Sequence, residues 1–398
     1  MGAMTLKVLL AVCAATAVQA QQSIPIRQVG PVEGSRDSVN TLTTVRPLSN
    51  GNVLLAVRAR VLLLDSALSL VRVALDSGAL GSAMIINVPM FAGRGDTTVV
   101  GDRQASSFLL LDATGKVAKV MAAPISRDML TIASPTGARG VFMDPQGRLL
   151  YRGAFPRPPA PSPQVGATLI TSADSFAVVR ASFETRTADT LGAITARTGR
   201  SSSTIGPDLR PVFKSTINPY PVVDAWTMLP DGTVAVARAA DYHMDWWAPD
   251  GARTSTPKMP FDWRRIAEEE KPKIVDSVNA IYADLARRMD SLAVAQGRQP
   301  GLTSRTESVP ANELPDYYPP IRSDQMRADP EGNVWLLPST SLNAQRGLLY
   351  DVINRKGEIF ERVQLPERCI LHGLGARGVL FLVCGSRLEK RRVVRSGV

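Results

Sequence analysis

The chain has 398 residues, 44% of them apolar, so a disordered or low-complexity protein is excluded and a packed core is expected. Its formal net charge is +10, with Arg outnumbering Lys about four to one, but the basic residues are scattered among 36 acidic ones. That scatter, with the export signal described next, argues against nucleic acid as a partner and for a solvated basic surface.

The first residues, MGAMTLKVLLAVCAATAVQAQQ, combine one Lys, an apolar run from Val8 to Val18, and small residues at Val18 and Ala20 before Gln21. This is the pattern of a secretory signal cleaved after Ala20, and it predicts a periplasmic or extracellular protein. No later segment approaches eighteen consecutive apolar residues, so no transmembrane segment is expected. Residues 21–398 are read as one domain. The segment "SIPIRQVG" (23–30) reads as a strand with no partner in its own neighbourhood.

Beyond it one pattern recurs, a turn of the form D/N/P-x-G followed by an alternating apolar strand. It occurs as "LSNGNVLLAVR" (48–58), "DPQGRLLYRG" (144–153), "LPDGTVAVAR" (229–238) and "DPEGNVWLLP" (329–338). Weaker copies are "GRGDTTVVGDR" (93–103) and "GARGVLFLVCGSR" (375–387). Asp, Asn and Pro preset the bend, and Gly accepts positive φ. Trailing strand pairs carry turns of their own, as in "SFLLLDATGKVAKVMAAP" (107–124). Four strands per unit make the blade of a propeller. The units are predicted at 43–76, 85–122, 140–197, 222–258 and 324–365, followed by a short last unit that strand 23–30 completes, closing the ring. The fold class is therefore all-β, a six-bladed β-propeller, with a helical insertion over 258–322 between the fourth and fifth blades.

These turn-strand units resemble those of secreted bacterial six-bladed propellers of the NHL and TolB-like kind. The resemblance is carried by Asp329-Pro330-Glu331-Gly332-Asn333-Val334-Trp335 and Leu229-Pro230-Asp231-Gly232-Thr233-Val234. Metal-dependent lactonases of similar architecture gather carboxylates and amides around one cation in the channel. The candidates for such a set here are Asp102, Asp241 and Asn343, whose oxygens suit calcium or magnesium. No G-x-S-x-G, P-loop or H-E-x-x-H motif is present, and the two histidines, His243 and His372, lie far apart in sequence. A non-enzymatic binding propeller without a cofactor, and monomeric, is the principal expectation. A lactonase-like hydrolase or lyase with calcium in the channel is the alternative.

Four units end their second strand in arginine, at Arg58, Arg103, Arg152 and Arg238, positions expected to ring one mouth of the channel beside Asp241. Guanidinium forks there suit a small anionic ligand or a partner protein's carboxylates. Asp241, His243 and Asp245 alternate along one strand. In "CILHGLGARGVLFLVC" a hairpin about Ala376-Arg377 sets Cys369 opposite Cys384, compatible with a disulfide in an oxidising compartment or with two buried thiols. In the insertion, Ile274, Val278, Ile281, Tyr282, Leu285, Met289 and Leu292 form one apolar stripe at helical spacing. A helix over 272–295 is expected to bury that stripe as a lid over the mouth, turning Asp276, Asp284 and Asp290 toward the arginines, and "GRQPGLTSRTESVPANELPDYYPPIR" after it is expected to be loop.

Overall fold

A computed structural model describes residues 24–39, 44–57, 60–76, 90–102, 105–128, 132, 140–153, 155, 168–172, 174–205, 211–297, 305–343 and 346–395. Residues 1–20, read above as an export signal, and Arg58 and Arg103 lie outside these residues. The chain opens with β1 (Ile26–Val29) and β2 (Gly34–Asp37). The first unit is β3 to β6 (Thr44–Pro47, Val53–Val57, Arg60–Leu64, Leu70–Leu75) and the second β7 to β10 (Met90–Ala92, Thr98–Asp102, Ser107–Leu111, Val117–Ala122). The third holds β11 (Val141–Met143), β12 (Leu149–Gly153), β14 (Ser175–Ala181) and β15 (Ala188–Ile205), with β13 (Thr168–Ser172) inserted before β14. After β16 (Pro211–Val223) comes the fourth unit, β17 to β20 (Ala225–Met228, Val234–Arg238, His243–Trp247, Arg253–Ser255). Helix α1 (Glu270–Ala295) and β21 (Arg305–Ser308) precede the fifth unit, β22 to β25 (Ile321–Ala328, Val334–Pro338, Leu349–Ile353, Ile359–Gln364). The last strands are β26 (Cys369–Gly375), β27 (Val379–Cys384) and β28 (Arg387–Val394).

The repeated turns explain why these strands form hairpins. In each, the Gly N–H donates to the carbonyl three residues back, as from Gly147 to Asp144 at 2.8 Å and from Gly332 to Asp329 at 3.1 Å. The glycines sit at positive φ, +81° at Gly147 and +88° at Gly232, where a side chain would be strained. Where the turn begins with Asp, its carboxylate also receives backbone N–H groups; Asp144 accepts from Gln146 at 3.0 Å and from Arg148 at 2.8 Å.

Apolar side chains are buried between successive units around the ring. Leu54, Leu63 and Val100 join the first to the second, and Ala235, Met244 and Leu336 join the fourth to the fifth. Val45, Leu55 and Phe381 join the last strands back to the first unit. Among the described residues the strands form five hydrogen-bonded sheets, not six separate blades. The departure has a definite cause. β1 pairs parallel with β25 (Arg27↔Val363) and antiparallel with β28 (Val29↔Val393), so the fifth unit and the last strands merge into one nine-stranded sheet. β2 extends the same seam along β28. There Arg27 and Arg395 converge on buried Glu361, at 3.5 Å and 2.7 Å.

Two further features depart from the sequence reading. β15 continues past its blade, turns into β16, and with β13 and β21 builds a small sheet outside the propeller. It leaves the blade at Gly199 (φ +143°), where an added Cβ would lie 2.0 Å from the Thr216 carbonyl oxygen. The segment after the helix is therefore not all loop, since Arg305–Ser308 pairs with β16 and residues 311–313 form a 3-10 turn. Helix α1 packs on β21 and that turn, with the Ser308 N–H donating to Asn279 Oδ1 at 2.8 Å. Its apolar stripe is not buried as a lid would bury it. Ile281, Leu285, Met289 and Leu292 are exposed, because the supporting strand is only four residues long.

Removing residues 24–30 should strip one sheet of its central strand, expose the edges of β25 and β28, and lower stability by several kcal/mol, read by urea unfolding. Cys369 and Cys384 face each other in the β26–β27 register and are disulfide-bonded, S–S 2.02 Å. Thiol titration of the denatured protein should accordingly find neither of these sulfurs free.

Candidate ligand cavity on the propeller axis

The first strand of each unit is hydrogen-bonded to the second on its outer side and turns its inner edge to the axis. Between these inner edges lies a cavity of about 470 Å³, lined by β3, β7, β11, β17, β22 and β26. Residues at the Gly-turn ends of the inner strands, Pro47, Pro230 and Pro330, belong to the lining. Four methionines, Met90, Met143, Met228 and Met326, come from four successive units, with Phe91, Phe142 and Leu374. Thioether side chains adapt to ligands of varied shape.

The charged lining residues are Arg46, Arg327 and Asp329, with His372 beside them. Asp329 is committed to structure, accepting from the Asn333 N–H at 2.7 Å, from Asn333 Nδ2 at 3.0 Å and from Trp335 Nε1 at 3.1 Å. Arg46 donates to the Pro47 and Gly95 carbonyls at 2.8 and 2.7 Å, and its buried Nε has no hydrogen-bond partner among the described residues. Burial pulls its pKa below the ordinary value, with Asp96 pulling the other way. Asp96 is itself held by the Ser49 backbone N–H and hydroxyl. The site therefore holds a guanidinium stripped of much of its water and not ion-paired among the described residues, a condition that favours binding an anion.

His372 lines the cavity at an irregularity in the ladder. Leu371 pairs with Leu382 and Gly373 with Phe381, so His372 is the extra residue of a β-bulge. His372, Gly373 and Leu374 all line the cavity, as consecutive residues of β3, β7, β11 and β22 do, because each inner strand turns its edge to the axis.

The arginines singled out from the strand ends are placed differently. Arg152 lies over the Phe176 ring at 3.7 Å. Arg238 donates from Nε to Asp245 at 2.7 Å and from Nη1 to Asp224 at 2.8 Å and the Ala193 carbonyl at 3.0 Å. Burial opposes its charge, but the hydrogen bonds to Asp245 and Asp224 outweigh it and raise its pKa above the ordinary value. Both arginines end second strands, at the opposite end of the ring from the Gly turns, and neither lines the cavity. Asp241 lies just before β19 and faces His243 Nδ1 at 2.6 Å, while His243 Nε2 faces Asp245 at 3.1 Å. Asp102 accepts from the Ala105 N–H at 3.1 Å. Asp102 and Asp241 do not line the cavity, and the side chain of Asn343 lies outside what is described. Among the described residues, the metal-capable donors that do cluster are Cys369, Cys384 and Glu389, and there the sulfurs are already joined to each other.

The inner-strand signal was present in the sequence, as a methionine shortly before the turn in "PMFAG", "VFMDP", "WTMLP" and "QMRADP". No family model matches the chain, and no curated protein does. Among solved structures it is similar to a virginiamycin B lyase from Staphylococcus aureus, at 9% identity over 90% of this chain and 98% of that one, TM-score 0.39. A streptogramin B lyase matches at 9% identity over 90% and 97%, TM-score 0.40. A gluconolactonase from Xanthomonas campestris matches at 12% identity over 90% and 89%, TM-score 0.35. Likenesses this distant say nothing of the chemistry at the site. By its own strand order the molecule is a β-propeller.

The Asp245 carboxyl would be raised by burial, but hydrogen bonds from Ser255 and Arg238 bring it below the ordinary carboxylate range. Its contribution to stability is therefore present above about pH 3.9 and is lost as pH falls through the lower folded value. Arg238→Ala should cost about 3 kcal/mol near neutral pH, because it leaves Asp224 buried without its cation. Urea unfolding of the variant should also show a shallower loss of stability on acidification than the parent.

Proposed function

We propose that this protein is an exported binding propeller whose axial cavity takes a small anion with an apolar body, such as a medium-chain carboxylate. The observation that carries the reading is Arg46, a half-buried guanidinium whose buried Nε has no hydrogen-bond partner among the described residues, in a cavity whose lining includes four methionines, two phenylalanines and two leucines. Arg327 on β22 adds a second positive charge, and the carboxylate among the described lining residues, Asp329, is already spent on a turn. A volume of about 470 Å³ falls within the range of small-molecule sites. The anion would meet the guanidinium while its chain displaces water from the methionines, so charge and burial act on the same molecule. Export is supported by the leader pattern of residues 1–20 and by the Cys369–Cys384 bond.

A second reading, a propeller hydrolase or lyase, is favoured by His372, an imidazole that belongs to the cavity lining together with Arg46 and Arg327. A calcium-dependent form of it fits less well, since Asp329 is the single carboxylate of the described lining and its oxygens already serve Asn333 and Trp335.

Calorimetric titration with octanoate should show saturable binding, and inorganic phosphate, which lacks the apolar body, should bind far more weakly. Arg46→Met and Arg327→Met should each weaken octanoate by at least about tenfold. Absence of octanoate binding, or equal binding by both variants, overturns the reading. Hydrolysis of an octanoate ester or lactone that is abolished by His372→Ala, with octanoate binding retained, would decide for the enzyme.

A further inference from the structure

We infer that the outer half of α1 is a self-association surface, on which the same half-helix of a second copy of this chain packs antiparallel. The first half of the helix is anchored. Lys271 Nζ bonds Glu268 at 2.8 Å and Asp316 at 3.0 Å, Asn279 holds the Ser308 N–H, and Ile274, Val275 and Val278 are half-buried. Beyond Tyr282 the helix leaves its support and runs on for about 20 Å.

On that overhang the apolar side chains are bare. Ile281 is 62% exposed, Leu285 50%, Met289 59% and Leu292 55%. Their spacing, four, four and three residues, sets them on one face of the helix as a continuous stripe rather than as singly scattered surface residues. A seam of this kind left in water forgoes the free energy of burying it.

The flanking charges identify the occupant. Asp284 bonds Arg288 Nε at 2.7 Å and Arg287 Nη2 at 3.1 Å within the helix. If two copies cross antiparallel about a dyad near Arg287, Ile281 meets Leu292 of the second copy and Leu285 meets Met289. The same dyad sets Asp284 of each copy against Arg288 of the other. A parallel pairing would instead oppose Asp284 to Asp284 and Arg288 to Arg288. The stripe and its flanking charges are thus self-complementary in one orientation, as an isologous interface requires. The area is modest, on the order of 1,000 Å² over both copies, at the small end of specific interfaces, so the dimer should form at micromolar concentration.

Sedimentation velocity of the purified protein, from about 1 to about 100 µM, should show a concentration-dependent dimer. Leu285→Asp with Met289→Asp should leave a monomer with an unchanged far-ultraviolet spectrum, since both positions are exposed and the propeller does not depend on them. Asp284→Arg and Arg288→Asp should each weaken the dimer by about tenfold. An equimolar mixture of those two variants should restore it, because each mutant 284 then faces an oppositely charged mutant 288. A parent that stays monomeric over the whole range, a dimer indifferent to the Asp pair, or charge variants that fail to complement one another overturns the inference.

Discussion

The architecture depends on how the two ends of the chain meet. Blades of this kind have little core of their own; Leu54, Val100, Val236 and Leu380 are buried between units, so each sheet is stable only while it has a neighbour on either side. At the seam, β1 lies between β25 and β28 and hydrogen-bonds to both, while Arg27 from the start of the chain and Arg395 from its end share the buried carboxylate of Glu361. A carboxylate at that depth is stabilised only by cations brought to it, and here they arrive from residues far apart in sequence. The axial cavity, lined by one strand from every unit, exists only if that meeting occurs.

Electrostatics divides the arginines into two kinds. Arg238 and Arg362 are tied to buried carboxylates, Asp224 and Asp351, and stitch strands or loops together. The Tyr242 hydroxyl donates to the same Asp351 at 2.8 Å, linking the fourth unit to the fifth. Arg46 is of the other kind, bonded among the described residues to two carbonyls and depressed in basicity by burial. A half-buried cation with no ion pair among the described residues, offset in part by the field of Asp96, is a poor structural element and a good receptor.

Local chemistry was legible in the sequence and long-range chemistry was not. The hairpins could be read from Asp144-Pro145-Gln146-Gly147 and its repeats because a turn is decided by four adjacent residues. The helix could be read from its 3.6-residue period, but not what it packs on, because β21 announces itself only as Arg-Thr-Glu-Ser. The outer sheet was missed for the same reason: "RTGRSSSTI" in β15 has no apolar alternation, and its pairing with β16 is satisfied by backbone bonds between polar strands. The strand-end arginines were visible as a series, yet the carboxylates that occupy Arg238 come from a crossover and a third strand, which no spacing rule connects. At the cavity, the methionines were visible one at a time. Their convergence, and that of His372 with them, depends on closure of the ring.

β15 gives the molecule a mechanical property. Eighteen residues of uninterrupted strand, roughly 60 Å, form the outer edge of the third blade at one end and the middle of the outlying sheet at the other. A strand is stiff along its length and yields most readily where its ladder is broken, and in β15 the register shifts against β14 around Leu191 and against β16 between Arg197 and Gly199, where it leaves the blade. The appendage and its helix are therefore hinged at a glycine but tethered in tension. A pull on the far sheet is transmitted through β15 to β14, and from there to β12 and β11 beside the axis. Load applied at the periphery and strain felt at the cavity wall belong to one continuous piece of backbone.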